Sequence, residues 1–432
     1  MSWERIGWWV LAALLLGSSP LVLYRTTRVP GSDFPAFYDS GRYVLEHRAR
    51  APDTKFRYYL PSVDAAFALL AWMPLPAAAT VWYLLGCGAW LCLLATTGRY
   101  VLAGSDHPQP SHAVLAAGLL MMPLVLDHLC IGAFHVIMVW LMVAGLGRAS
   151  QGRTWSGGIL LGLAVWIKLL PALGVGYLVL KRRWLPAVVA VVTVLLVDLV
   201  LSLAAFGPQT AWELHREWYQ GEAVDRSDRM LTHAGQLDED RLTNQSVMII
   251  MRRLLTQMGR GASPGRDQVA FGHLTPGQLR VAYYAVMLSL GAGVGFFCRR
   301  PWHVLSPPQW SAEIALIVLS TLWFSPLVWS YHPTAATPAL ALVLSHGPRR
   351  LRLAWTITAL WLLSIALLAW PAARAFGVLL WMNLLLGGAL VWTSWKGAGH
   401  GPQPGECRHA RQTGHRDGHL ATARQHEPCR QV

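Results

Sequence analysis

The stretch WSGGILLGLAVWIKLLPALGVGYLVL, residues 155–180, carries a single charge at Lys168 and a single proline, Pro171. A helix needs about 20 apolar residues to cross a bilayer, so this stretch is long enough to span it. Proline lacks the backbone N–H that a continuous helix requires and disfavours helix continuation. We therefore predict a helical hairpin inside the membrane that turns near Lys168 and Pro171.

Basic residues cluster between the apolar segments, and their positions test this hairpin. Loops that face the cytoplasm carry an excess of lysine and arginine. With a cytoplasmic N-terminus, every cluster falls on the inner side only if 155–180 is a hairpin, because a single span would place residues 181–183 outside. The clusters are Arg99, 148–153, 181–183, 299–300 and 349–352.

The composition of the whole chain indicates a protein surrounded by lipid. Of 432 residues, 54% are hydrophobic and 13% are charged, whereas soluble domains carry about a quarter charged residues. The net charge of +14 sits in the short clusters above, which is typical of topology signals rather than of a nucleic-acid-binding face. The apolar segments lie near 7–24, 78–98, 112–126, 129–147, 155–167, 169–180, 184–205, 276–298, 310–327, 333–346, 352–371 and 374–395.

These segments predict an all-α polytopic membrane protein of about 12 transmembrane or re-entrant helices, located in the plasma or inner membrane. The membrane domain covers residues 1–395, and its first apolar segment is expected to be an anchor rather than a cleaved signal. Two long polar loops, 25–77 and 206–275, fall on the extracytoplasmic face. The polar segment 396–432 is predicted to be a disordered cytoplasmic tail.

Asp33 follows the first apolar segment in an aromatic setting, GSDFPAFY, that leads into a predicted amphipathic helix at the membrane interface. A carboxylate there can act as a general base, or it can simply cap the helix. Lys168 lies deep in an apolar segment, where a cation can bind a phosphate. Alternatively, Lys168 lies near a helix end and extends its ammonium group to the membrane interface.

His332 lies in a polar break, SPLVWSYHP, between two apolar segments on the outer face. It can contact a phosphate oxygen or relay a proton, or it can be an ordinary hydrogen-bonded loop residue. The residues Asn244, Gln245 and Ser246 suit sugar hydroxyls, or they cap the next helix. Asp198 lies mid-segment, where it can pair with a cation across the bundle, and we favour a structural role for it. The tail histidines and cysteines match no zinc pattern.

Several stretches of the sequence, in their order along the chain, resemble glycosyltransferase family 87 over about residues 7–395. This is the polyprenyl-phosphate-sugar-dependent family with the GT-C membrane fold. The resemblance implies a GT-C-type helical bundle in which Asp33 matches the catalytic acidic residue. Lys168 and His332 match residues that hold the donor phosphate. The stretch GAFH, residues 132–135, departs from the family pattern, which has Gly-Gln and a nearby asparagine there. The matching stretches are DFPAFY (33–38), FRYYLP (56–61), MPLP (73–76), 158–171, NQS (244–246) and 325–332.

The resemblance implies a membrane hexosyltransferase that moves a sugar, mannose by preference, from a polyprenyl-phosphate donor to a glycolipid or polysaccharide acceptor, with inversion. Polyprenyl phosphate is a good leaving group, so one base suffices, and no metal or cofactor is expected. Nucleic acid is not an expected partner. The site residues that the resemblance suggests are Asp33 as base; Lys168, His332 and Arg57 on the phosphate; and Tyr38, Tyr58, Asn244 and Gln245 on the acceptor or sugar.

Two other classes of protein share the polytopic pattern. A transporter or flippase for lipid-linked sugars would also use the intramembrane charges Lys168 and Asp198. It would not need the long outer loops or the position of Asp33, and no inverted repeat is visible in the sequence. An inactive scaffold in an envelope-assembly complex is the other alternative.

Overall fold

The structure is a computed structural model that describes residues 3–29, 32–52, 59–102, 110–224, 242–256, 270–345 and 351–397. Within these ranges the chain forms helices and turns, and no described residue is in a strand. The helices are α1 Trp3–Arg28, α2 Asp33–His47, α3 Pro61–Ala71, α4 Leu75–Thr96, α5 Pro110–Ile131, α6 His135–Ser150, α7 Thr154–Ile167, α8 Ala172–Leu180, α9 Trp184–Phe206, α10 Pro208–Trp218, α11 Val247–Leu255, α12 Pro276–Phe297, α13 Pro307–Phe324, α14 Thr337–Leu344, α15 Leu351–Leu367, α16 Pro371–Ala375 and α17 Val378–Gly397.

Among the described helices, five are long and apolar enough to cross a membrane: α1, α4 with its π-helical extension, α5, α9 and α12. Shorter apolar helices include α3, α6, α7, α15 and α17. A helical membrane protein is therefore confirmed, while the number of about 12 spans and the GT-C arrangement stay predictions.

Small residues let α7 pack closely between α6 and α9. A Cβ added at Gly157 would lie 2.7 Å from the backbone nitrogen of Ala149 on α6, and one at Gly162 would lie 2.5 Å from the carbonyl oxygen of Ala190 on α9. Association of helices in lipid depends on such close backbone approach, because lipid tails are as apolar as the helices themselves. These glycines therefore fix α7, and with it Lys168 at its C-terminal end.

The predicted break in segment 155–180 is confirmed. α7 ends at Ile167, the backbone of Lys168 is extended (φ −155°, ψ 135°), and α8 begins at Ala172. α8 then returns to the end of the bundle where α7 began, because the Arg183 guanidinium that follows α8 donates to the carbonyl of Ala149 over 2.9 Å. The two helices form a hairpin whose turn contains Lys168.

Four of the five basic clusters gather at one end of the bundle, as the hairpin requires. The Lys181 ammonium donates to the carbonyls of Cys298 (2.6 Å) and Arg300 (2.7 Å). Gly147 packs against the ring of Tyr100, the neighbour of Arg99. Residues 349 and 350 of the fifth cluster lie outside the described ranges. Lys168 lies at the opposite end, about 21 Å away along the 14 residues of α7.

Helix α2 has the predicted amphipathic pattern, but its apolar face packs on protein rather than on lipid. Phe34 and Phe37 are fully buried, and the Phe37 ring stacks on that of Phe67 with centroids 4.7 Å apart. Gly41 meets the backbone of α3, where an added Cβ would lie 2.4 Å from the Phe67 carbonyl carbon. The reason is α3, an apolar helix within the segment that the sequence pattern assigned to a polar loop.

The boundary between α5 and α6 lies later than the segment pattern predicts. The pattern breaks at residues 127–128, yet α5 continues to Ile131 and the chain turns at Gly132 with φ +72°. An added Cβ at Gly132 would lie 2.6 Å from the Cβ of Phe34. Glycine is therefore needed here for both conformation and space. The extension places Asp127 inside a helix rather than in a loop.

A buried ion pair closes the basic end of the bundle, and its loss should destabilise the fold. Lys181 Nζ lies 2.6 Å from a Glu313 carboxylate oxygen, and the two side chains are 0% and 3% exposed. Replacing Lys181 with Met leaves a buried carboxylate without its cation. We expect a loss of about 3–5 kcal/mol in unfolding free energy, measured by denaturant titration in detergent micelles.

The double variant Lys181→Met/Glu313→Leu should recover much of that loss, because neither charge then remains unpaired. The neighbouring exposed residue Arg182, replaced by Met, is the matched control and should change stability by about 0.5 kcal/mol or less. An equal loss in Lys181→Met and in the control would contradict the assigned role of the pair.

Candidate functional site

Residues 325–332, here named the His332 loop, connect α13 to a short 3-10 helix at the end of the bundle opposite the basic clusters. Asn244 is completely buried, and its side-chain oxygen accepts from the backbone N–H of Val328 (3.1 Å). The neighbouring backbone N–H of Gln245 donates to the Val328 carbonyl (2.7 Å). These contacts hold the first half of the loop against the segment before α11.

His332 is 4% exposed and contacts three separate elements. The backbone N–H of Trp329 donates to its Nδ1 over 2.7 Å, and its carbonyl accepts from His135 Nε2 over 2.7 Å. Because Nδ1 accepts, a neutral His332 carries its proton on Nε2. That Nε2 lies 3.3 Å from Lys168 Nζ. Two hydrogen-bond donors therefore lie side by side, and an anion oxygen that touches both nitrogens could accept from each.

Asp33 is the first residue of α2, and Ser32 takes the N-cap position, so Asp33 itself is not the cap. The hydroxyl of Tyr331 donates to Asp33 Oδ2 over 3.4 Å. The Tyr331 ring stacks on that of His332, with centroids 4.6 Å apart. The structure therefore brings Asp33, Lys168 and His332 together through two consecutive residues of the His332 loop.

An apolar cavity of about 640 Å³ begins at Lys168 and follows α8 down to Leu180. Its walls come from α8, from the C-terminal end of α12 with the following Cys298, and from the C-terminal half of α13. The distance from Ala172 to Leu180 along α8 is about 12 Å. The cavity is lined almost entirely by apolar groups, with the Lys168 cation at one end.

The remaining predicted site residues lie in different places. Tyr38 is 7% exposed, and its hydroxyl donates to the Met73 carbonyl over 2.8 Å, so it holds the turn between α3 and α4. Asn244 and Gln245 are buried on the His332 loop, and Ser246 caps α11 by accepting from the Ile249 N–H. Their contact with an acceptor or a sugar stays a prediction. Arg57, Tyr58 and the tail lie outside the described residues.

Three residues at the site were not singled out from the sequence: Tyr331, His135 and Asp127. Asp127 accepts a hydrogen bond from the Ser330 hydroxyl. The position of Asp127 in the sequence could have identified it, because a carboxylate between two apolar segments is a functional candidate in a membrane protein. In the described part of the chain, no group of three or more His, Cys, Asp or Glu residues is arranged to hold a metal ion. The expected independence from metals and cofactors stays a prediction.

Asp198 connects Trp166, which lines the cavity, to helix α10 through hydrogen bonds. It accepts from the Ser62 hydroxyl, which in turn accepts from Trp166 Nε1 over 2.8 Å. His215 Nε2 lies 2.8 Å from the other Asp198 oxygen, and His215 Nδ1 lies 2.7 Å from the Ala211 carbonyl. Both ring nitrogens face acceptors, which suits a protonated imidazolium. Asp198 therefore bonds to both Ser62 and His215, contacts that suit the structural role favoured for it.

The fold and the site define a class: a polytopic helical membrane protein with a carboxylate, an ammonium and an imidazole at one end of an apolar cavity. The chain belongs to glycosyltransferase family 87, whose model matches residues 58–326. That stretch contains Lys168 and the cavity, whereas Asp33 and His332 lie outside it. The protein is therefore a membrane glycosyltransferase.

Two curated relatives carry the same name, polyprenol-phosphate-mannose-dependent alpha-(1-2)-phosphatidylinositol mannoside mannosyltransferase. The protein from Mycolicibacterium smegmatis is 26% identical over 90% of this chain and 84% of its own length. The protein from Mycobacterium tuberculosis is 23% identical over 90% of this chain and 89% of its own length.

The His215–Asp198 pair predicts how stability depends on pH. The hydrogen bond to Asp198 raises the pKa of His215 above its usual value, against the effects of burial and of Arg50. A raised pKa in the folded state means that the stabilisation is complete below the ordinary pKa of histidine, about 6.5. It is lost as pH rises through the raised value.

We therefore expect the melting temperature of wild type to exceed that of His215→Gln most at about pH 5.5, with the difference shrinking towards about pH 9. Thermal melts in detergent across this range provide the measurement. His303→Gln, at an exposed histidine, is the control and should show no such trend. A difference that grows with pH would refute the assigned sign.

Proposed function

We propose that the protein transfers a hexose, mannose by preference, from a polyprenyl-phosphate donor to a lipid or glycan acceptor on the extracytoplasmic face. The meeting of Lys168 Nζ and His332 Nε2 at the end of an apolar cavity is the observation on which this rests. The names of the two relatives favour mannose as the sugar and a phosphatidylinositol mannoside as the acceptor class. The basic clusters at the far end favour an outward-facing site.

The donor is amphipathic, and so is this part of the protein. A phosphate oxygen beside Lys168 Nζ and His332 Nε2 would accept hydrogen bonds from both groups, and the ammonium would also offset its negative charge. The prenyl chain would then follow α8 into the cavity, where the lining is apolar. As the sugar departs, negative charge grows on the phosphate, and the same two donors stabilise it.

Asp33 serves as the general base in this mechanism. The acceptor hydroxyl oxygen attacks the anomeric carbon, and the bond from that carbon to the phosphate oxygen breaks. The hydroxyl proton passes to Asp33, and polyprenyl phosphate leaves as the anion. This single displacement inverts the anomeric centre. The Tyr331 hydroxyl, which donates to Asp33 Oδ2, would orient the carboxylate for this proton transfer.

Replacing Asp33 with Asn removes the base while preserving size. We expect turnover to fall by about 10²–10⁴-fold with donor affinity retained, since a general base typically contributes that factor. The measurement is glycolipid formation by purified protein in liposomes containing a polyprenyl-phosphate mannose and a phosphatidylinositol mannoside. Asp39→Asn, at an exposed carboxylate on the same helix, is the matched control.

Full activity of Asp33→Asn would refute the base assignment. Translocation of the donor across the vesicle membrane by wild type, with no glycosylated product, would instead favour the alternative of a flippase.

Filling the cavity tests where the donor chain lies. Gly295 and Gly293 are both on α12, and an added Cβ at either meets nothing within 4 Å, but only Gly295 lines the cavity. Gly295→Leu should lower kcat/KM for a long-chain donor by about tenfold or more, equivalent to at least about 1.4 kcal/mol. Gly293→Leu should stay near wild type in the same liposome assay. Equal effects of the two variants would exclude this cavity as the donor site.

A further inference from the structure

Three consecutive residues of the His332 loop contact three different functional side chains. Ser330 donates to Asp127, Tyr331 donates to Asp33, and His332 contacts Lys168. Two of the three partners belong to the proposed mechanism. The third partner, Asp127, has no role in it so far.

Asp127 lies near the C-terminal end of α5, in the last residues before the turn at Gly132. It is partly buried, and one carboxylate oxygen accepts from the Ser330 hydroxyl. The Arg25 guanidinium at the end of α1 interacts electrostatically with the same carboxylate. The bond to Ser330 spans 203 residues of chain, so it ties two separate parts of the bundle together.

The neighbouring contacts show why the loop needs this tie. Asn244 fixes Val328 on one side of Ser330, and His135 fixes the His332 carbonyl on the other. Between these anchors the chain must turn so that Tyr331 faces α2 while His332 faces α7. The Ser330 hydroxyl lies at this turn and donates a hydrogen bond to Asp127.

We propose that Asp127 is a positioning residue of the transferase site. By holding Ser330, its carboxylate sets the directions in which Tyr331 and His332 point, and so the geometry of Asp33 and of the phosphate-binding pair. This inference rests on the proposed function. Asp127 acts through Ser330 and takes no proton from the acceptor.

Variants at both ends of the bond separate positioning from direct catalysis. Asp127→Ala and Ser330→Ala each remove it, and each should lower kcat by about 10–100-fold, the range expected for misplacement of about 1 Å at a reacting centre. Donor and acceptor KM should stay within about threefold. The double variant should be no worse than either single one, because both remove the same interaction.

Asp127→Asn is the rescue variant, since its amide oxygen still accepts from the Ser330 hydroxyl. It should keep kcat within about fivefold of wild type and leave the pH profile of kcat unchanged. Asp39→Asn again serves as the surface control. If Asp127→Asn loses as much activity as Asp33→Asn while Ser330→Ala is unimpaired, Asp127 acts directly and the proposal is wrong. Unchanged kcat in both alanine variants would overturn it as well.

Hydrogen exchange gives a readout that does not depend on turnover. Peptides covering the His332 loop should take up deuterium faster in Asp127→Ala and Ser330→Ala than in wild type or Asp39→Asn. Unaltered exchange in this loop would overturn the positioning role. A wild-type protein that forms no glycosylated product would refute the proposed function alone, since the exchange result stands without it.

Discussion

The His332 loop depends on buried side chains for the hydrogen bonds that a helix would supply internally. Within a membrane protein every buried backbone group must find a partner, because lipid offers none. Asn244 and His135 provide partners for carbonyl and N–H groups of this loop. An irregular segment is tolerated at membrane depth only under this condition. The polar contacts that shape the site are thus also a requirement for the loop to exist.

The same constraint gives the loop a single conformation. Its ties come from α2, α5, α6, Lys168 and the segment before α11, and together they restrain Val328, Ser330, Tyr331 and His332. Partly satisfied polar networks destabilise a fold, whereas fully satisfied ones specify one arrangement. At Lys168 Nζ and His332 Nε2 two donor groups lie 3.3 Å apart, so an anionic ligand in contact with both would be held by charge as well as by hydrogen bonds.

The hairpin could be predicted from the sequence because its signals are local. Pro171 interrupts the helix, and the basic clusters on either side restrict the topology. The contacts of the site could not be predicted in this way. His135 and His332 are 197 residues apart in the chain, and no spacing rule connects them. For Asn244 the sequence predicts contact with sugar hydroxyls or a helix cap, whereas in the structure its side-chain oxygen accepts from the backbone N–H of Val328.

The cavity raises a question about where donor affinity originates. A prenyl chain that moves from the bilayer into an apolar cavity exchanges one apolar environment for another, so it gains little hydrophobic free energy. In the proposed mechanism, selectivity for the donor would come from phosphate contacts with Lys168 and His332, while the cavity would restrict where the chain lies. A chain aligned along α8 would place its phosphate at Lys168 and its sugar towards Asp33. Positioning of this kind lowers the barrier without requiring tight binding, because it reduces the orientational freedom lost on the way to the transition state. On this proposal the cavity would contribute to rate through geometry, and Lys168 and His332 would contribute through charge and hydrogen bonding.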